Sequence, residues 1–213
     1  MRSIKKTAHT SKKSSLKKTN TQKKKKDSIW GCGKNDYGQL CLGDKKSRDT
    51  FSEIVLGNQL TPQKVVTSDK STMILTNCGK ILVCGNNESG NLGLGKISES
   101  LILQMVSKVN VDGEKKPISK IIDMTLNEDY SFILSEDRTL FSCGKNENGQ
   151  LGLGNNINQN MFTKLSSFPK NVTIKEIICG IGHSLVLSVK GEVFACGQND
   201  FGQLGLGDTI NCR

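Results

Sequence analysis

The stretch Val193-Phe-Ala-Cys-Gly-Gln-Asn-Asp-Phe-Gly-Gln-Leu-Gly-Leu-Gly207 decides the fold, because the chain repeats it. The other copies are Ile29-Trp-Gly-Cys-Gly-Lys-Asn-Asp-Tyr-Gly-Gln-Leu-Cys-Leu-Gly43, Ile81-Leu-Val-Cys-Gly-Asn-Asn-Glu-Ser-Gly-Asn-Leu-Gly-Leu-Gly95 and Leu140-Phe-Ser-Cys-Gly-Lys-Asn-Glu-Asn-Gly-Gln-Leu-Gly-Leu-Gly154. Their cysteines, Cys32, Cys84, Cys143 and Cys196, are 52, 59 and 53 residues apart. A period of this size marks an array of similar supersecondary units. Each isolated motif must therefore be compared with its counterparts before chemistry is read into it.

Upstream of each Cys-Gly the copies stay in register. His183-Ser-Leu-Val-Leu-Ser188 aligns with Tyr130-Ser-Phe-Ile-Leu-Ser135 and Ser71-Thr-Met-Ile-Leu-Thr76. Turn residues follow each run, and then a second apolar run ends at the signature Cys, which predicts a β-hairpin. Two further short apolar stretches precede each hairpin: 174–179, 120–124 and 64–67, and before them 161–165, 103–106 and 51–55. Four strands per period, with no helical period anywhere, predict four-stranded antiparallel units arranged as a β-propeller. The longest period holds a Lys-rich excursion, residues 110–116, with a hairpin-like Asp112-Gly113 turn.

The chain has 213 residues and a formal net charge of +10. Eleven of its thirty Lys and Arg lie in residues 1–26, which contain no acid; the other nineteen face twenty acids. The repeat region is thus close to neutral, and the basic character belongs to the tail. Residues 1–28 are expected to be a disordered Lys-rich tail, too poor in apolar groups to order themselves. Residues 29–213 hold the repeats. Lys12 and Lys13, with Lys23, Lys24, Lys25 and Lys26, resemble a one- or two-part nuclear localisation signal or a chromatin-binding patch. A transit peptide is the other reading of this tail. No secretory or membrane-spanning segment is expected, so the localisation read here is nuclear, with cytoplasmic as the alternative.

The tempting chemical motifs yield to comparison. Gly90-Asn-Leu-Gly-Leu-Gly95-Lys96 mimics part of a phosphate-binding loop, but Ile97 stands where Ser or Thr would hold magnesium. The other copies place Asp44, Asn155 and Asp208 at the Lys96 position. Lys96 is read as an occupant of a repeat turn. The signature cysteines make no Cys-x-x-Cys pair, so zinc spacing fails. Without a secretory signal they are expected to be small buried thiols. Asn35, Asn87, Asn146 and Asn199 are expected to bond the backbone of their own turns, and Asp36, Glu88, Glu147 and Asp200 to form exposed tips. His183 has no nucleophile or paired acid beside it, and no catalytic constellation or cofactor site is found. Two Asn-x-Ser/Thr triplets, at Asn87 and Asn171, carry no weight without a secretory route.

These motifs, clearest over residues 180–207, resemble the regulator-of-chromosome-condensation repeat. The resemblance covers residues 29–213 and implies a seven-bladed propeller. It makes Cys32, Gly33, Asn35, Cys84, Gly85, Asn87, Cys143, Gly144, Asn146, Cys196, Gly197 and Asn199 structural repeat positions. It likewise implies that His183 anchors strands by hydrogen bonds. Four signatures give about three to four blades, an incomplete ring. The chain is therefore expected to be a fragment, or else an arc that closes on another copy or partner. The resemblance implies two functions. One is a non-catalytic protein-interaction module with a nuclear or chromatin-targeting tail. The other is guanine-nucleotide exchange on a Ran-type small GTPase, which needs no acid–base chemistry. The family's exchange factor carries an inserted β-wedge; the signatures here are of one length.

Overall fold

The computed structural model describes residues 28–57 and 59–213. The tail lysines Lys12, Lys13, Lys23, Lys24, Lys25 and Lys26 lie outside the described residues. The chain runs through β1 (Ile29–Gly33), β2 (Arg48–Ile54), β3 (Pro62–Thr67), β4 (Ser71–Thr76), β5 (Ile81–Asn86) and β6 (Glu99–Val106). It continues through β7 (Lys108–Val111), β8 (Glu114–Pro117), β9 (Ile121–Leu126), β10 (Tyr130–Ser135), β11 (Leu140–Gly144) and β12 (Gln159–Lys164). It ends with β13 (Ile174–Cys179), β14 (His183–Ser188) and β15 (Val193–Gly197). The described residues contain no helix, and no segment long and apolar enough to cross a membrane as a helix.

Four sheets form: β1-β2, β3-β4-β5-β6, β8-β7-β12-β11-β10-β9 and β13-β14-β15. The expected hairpins are the centres of the last three. Leu75 pairs with Ile81, Leu134 with Leu140 and Leu187 with Val193, each flanking its tight turn. The grouping of strands differs from the sequence period. That period places residues 51–55, 103–106 and 161–165 with the hairpin that follows them. Instead β2, β6 and β12 pair with the preceding signature strands β1, β5 and β11. The Asn-centred signature loop reverses the chain and returns it along the strand it has just left, so each blade straddles two sequence periods.

The sheets stack face to face as an arc of propeller blades. In β10, Tyr130, Phe132 and Leu134 belong to the apolar layer shared with Ile174, Ile177 and Val186. Ile133 points the other way, into the layer of Met73, Leu75, Ile81 and Val83. That alternation is the two-residue period of a strand buried on both faces. β4, β5, β10 and β11 are buried throughout, whereas β14 is buried at every second residue. β1 and β2 expose Trp30 and Phe51, and the last sheet exposes Ile178 and Val193.

The long period is accounted for by β7 and β8, a hairpin without counterpart among the described residues of the other units. Asp112 and Gly113 both take positive φ (54° and 89°), as a two-residue hairpin turn requires. β7 extends the third sheet by a parallel pairing of Asn110 with Thr163. Val109 is buried in the core beside Phe162 and anchors the hairpin to its blade.

Candidate interaction surface

The four signature Asn side chains are buried and bonded alike. Asn35 Oδ1 accepts from the Leu40 amide at 2.9 Å, and its Nδ2 donates to the Asp44 and Lys46 carbonyls at 2.8 and 3.2 Å. Asn146 takes the Leu151 amide at 2.9 Å and donates to the Asn155 and Ile157 carbonyls at 2.8 and 3.3 Å. Asn199 takes the Leu204 amide at 3.0 Å and donates to Asp208 and Ile210 at 3.0 and 3.2 Å. Asn87 takes the Leu92 amide at 2.7 Å and donates to the Ile97 carbonyl at 2.6 Å. An amide so engaged supplies internal partners to buried backbone groups. Each signature loop is closed from inside, its Asn side chain spent on the loop's own backbone.

Gly33, Gly85, Gly144 and Gly197 all take φ between 103° and 112°. A Cβ on Gly144 would lie 2.3 Å from the Asp129 carbonyl oxygen, and one on Gly85 2.3 Å from that of Lys70. No side chain fits there. The exposed tips are Asp36, Glu88, Glu147 and Asp200.

At each junction one signature-loop carbonyl accepts a hydroxyl from the next blade. The Thr72 hydroxyl donates to the Gln39 carbonyl and the Ser184 hydroxyl to that of Gln150, both at 2.7 Å; Ser131 donates to that of Asn91. The signature thiols converge on the same oxygens. Cys143 Sγ lies 3.4 Å from the Asn91 oxygen and Cys196 Sγ 3.4 Å from that of Gln150. Burial pushes the Cys143 thiol far above its usual range and that of Cys196 up to about 12. These are protonated donors, chemically quiet. Cys32 is exposed on β1.

Cys84 departs from that pattern and corrects the expectation of thiols throughout. It forms a disulfide with Cys41, the Cα atoms 5.6 Å apart. Cys41 stands where the other signatures have Gly93, Gly152 and Gly205, and it shares their left-handed conformation, φ 58° against 66–67°. At the equivalent junction a Cβ on Gly152 would sit 3.3 Å from Cys196 Sγ. A cysteine at this glycine position therefore reaches the next signature cysteine. The one visible signal was Cys41 interrupting the Gly-x-Leu-Gly-Leu-Gly ending.

His183 is half-buried, with its ring over Gly180. Its Nδ1 is buried without a partner. The strand anchoring expected of its side chain is made instead by its backbone carbonyl. That oxygen and the Gly180 oxygen share the Tyr130 hydroxyl, at 2.5 and 2.8 Å. Tyr130, buried from the neighbouring blade, occupies the His183 position of its own repeat and reaches across because its ring is longer. Desolvation raises its phenol well above the usual value.

No cluster of three or more metal-ligating side chains occurs among the described residues. The structure brings none of the predicted repeat positions together as a reactive group; each sits at its own blade. The tail positions Lys12, Lys13, Lys23, Lys24, Lys25 and Lys26 lie outside the described residues.

Comparison with known proteins agrees with this geometry. The family model described as "Regulator of chromosome condensation (RCC1) repeat" matches residues 26–80, 137–187 and 190–213. Residues 81–136, between the first two stretches, hold the second signature and the β7–β8 hairpin. The chain is similar to the Ultraviolet-B receptor UVR8 of Arabidopsis thaliana, 27% identical over 182 residues, covering 85% of this chain and 39% of that protein. It is 35% identical over 122 residues to the Secretion-regulating guanine nucleotide exchange factor of Bos taurus, covering 57% of this chain and 25% of that one. It superposes on Prp20p from Saccharomyces cerevisiae with a TM-score of 0.66 at 20% identity, covering 87% of this chain and 44% of that one. That structure was solved together with a study of its binding to Gsp1p and histones; at such identity the likeness is one of fold. The chain spans less than half the length of each. On the matched stretches and the shared signature geometry, the chain belongs to the regulator of chromosome condensation (RCC1) repeat family.

Proposed function

We propose that this chain is a non-catalytic protein-interaction module of the RCC1 type, with a basic tail that directs it to the nucleus or chromatin. The observation that carries this reading is how the signatures spend their polar groups. The Asn side chains close their own loops, and the Cys, Ser and Thr groups join blade to blade. What remains free to differ between repeats is the exposed rim, where binding loops on a rigid scaffold ordinarily lie. Residues 1–26 contribute eleven basic residues without an acid, suited to phosphate or acidic protein surfaces without sequence readout.

A second reading, guanine-nucleotide exchange on a Ran-type GTPase, is favoured by the name of the Bos taurus relative and by the Gsp1p binding studied for Prp20p. Nucleotide release from such a GTPase separates the two. The tail is tested by following the fluorescently tagged full chain in cells with and without residues 1–26. Nuclear enrichment that disappears on deletion supports targeting by the tail; unchanged distribution removes it.

A further inference from the structure

A groove of about 400 Å³ lies beside the β7–β8 hairpin. Gly93, Leu94 and Gly95 form one wall and β6 another, while Met161 and the hairpin complete it. Three lysines, Lys96, Lys108 and Lys115, line it with no acid among the lining residues. All three are exposed, and none has a carboxylate partner among the described residues. The hairpin register explains the convergence. Lys115 pairs directly with Asn110, two residues from Lys108, so Lys108 and Lys115 share one hairpin face. Val109 takes the other face, into the core.

The same groove one blade earlier provides the internal comparison. It is lined by Cys41, Leu42, Gly43 and β6 residues, includes Glu53, and contains no lysine. Lys108 and Lys115 arrive with the inserted hairpin. Lys96 replaces the Asp or Asn of the other signatures at a structural cost. Asp208 and Asn155 accept the amides of Ile210 and Ile157 at 2.9 Å, and both take a second bond from their signature Asn. Lys96 can make neither bond. Where the other signatures spend an acceptor on closing the turn, this one presents a cation to the groove.

We propose that this groove binds an acidic peptide segment carrying a large apolar side chain. The inference rests on the interaction-module reading and names the partner chemistry of one rim site. The lysines supply the charge complement. Ile97 and Met105, 47% and 46% exposed, and the half-buried Met161 supply an adaptable apolar floor. A single-stranded nucleic acid would ask for aromatic platforms or Arg, and the groove has neither. The hairpin is held by Val109 and by the Ser166 hydroxyl on Asp112 at 3.1 Å, so the site is formed before binding.

The test is fluorescence anisotropy on the full chain with a labelled peptide alternating Asp or Glu with Leu. Three variants are compared: K96E/K108E/K115E, the same positions changed to Ala, and Lys23, Lys24, Lys25 and Lys26 changed to Gln to separate the tail. Binding should weaken at least about tenfold in the charge-reversed groove and less in the Ala variant. It should also weaken when Leu in the peptide becomes Ser. Binding that follows only the tail lysines, or that ignores the Leu-to-Ser change and is displaced equally by an oligonucleotide, overturns the groove. Neither outcome touches the module reading, which nucleotide release tests separately.

Discussion

Cys41 is bonded to Cys84 across the first blade junction, from a left-handed position that the other three signatures give to glycine. The bond spans 43 residues of chain. Cys84 Sγ still lies 3.6 Å from the Gln39 carbonyl, in the place where the Cys143 and Cys196 thiols meet their carbonyls at the following junctions. The first junction thus carries a covalent tie beside its hydroxyl-to-carbonyl bond, and the other two pair that bond with a free thiol.

Reduction should therefore loosen that junction. Loop-closure entropy for a ring of this size sets an upper figure of about 4 kcal/mol. Urea unfolding with and without dithiothreitol should show a lower midpoint on reduction, and a Cys84→Ser variant should lose the difference. Identical midpoints would mean that the bond does not contribute.

Asn146→Ala should be among the most costly single changes outside the apolar core. It orphans the buried Leu151 amide and removes donors to two carbonyls, a loss of about 2–4 kcal/mol. The exposed neighbour Glu147 changed to Ala should cost less than about 0.5 kcal/mol. Chemical denaturation of both variants checks the contrast.

Arg138 holds φ 66° in the β10–β11 turn, where the corresponding turns use Gly79 and Gly191. Arg138→Gly should be neutral or stabilising by up to about 1 kcal/mol, since a left-handed conformation penalises any Cβ. Gly79→Ala should destabilise, because its Cβ would lie 2.2 Å from Lys120 Cγ and 3.0 Å from the Ile121 amide. Thermal melts should show a lowered midpoint for Gly79→Ala and an unchanged or raised one for Arg138→Gly.

Alkaline pH should destabilise the fold. Burial raises Cys143, Cys179 and Cys196 from an ordinary 9.0, the last two to about 12, and Tyr130 rises as well. The native state keeps these protons after the unfolded chain has released them. Their contribution is full below about pH 9 and is lost as pH climbs toward 12. Stability measured at pH 8 should exceed that at pH 10. Cys78, exposed and held lower by its Thr76 hydrogen bond, should alkylate readily in the native state. Cys143 should stay unmodified until unfolding.

The hairpins were legible to within a residue or two, because Ser71–Thr76, Tyr130–Ser135 and His183–Ser188 align without gaps and their turn residues punctuate them. Strand pairing beyond the hairpin was not legible. Whether β12 joins β11 or the blade after it depends on where the signature loop sends the chain, and a period reads the same from either end. The Cys41–Cys84 bond and the Lys96–Lys108–Lys115 groove were hidden for a related reason. Both lie between units, and a comparison of copies aligns units without stating what faces what across a junction.

Both readings leave the signature residues to hold blades together; they differ in whether the rim accelerates nucleotide release. Release of labelled GDP from a Ran-type GTPase, followed with a stoichiometric excess of the full chain, separates these roles. A binding module should leave release at its spontaneous rate. Acceleration by the full chain would contradict that role and establish the exchange reading.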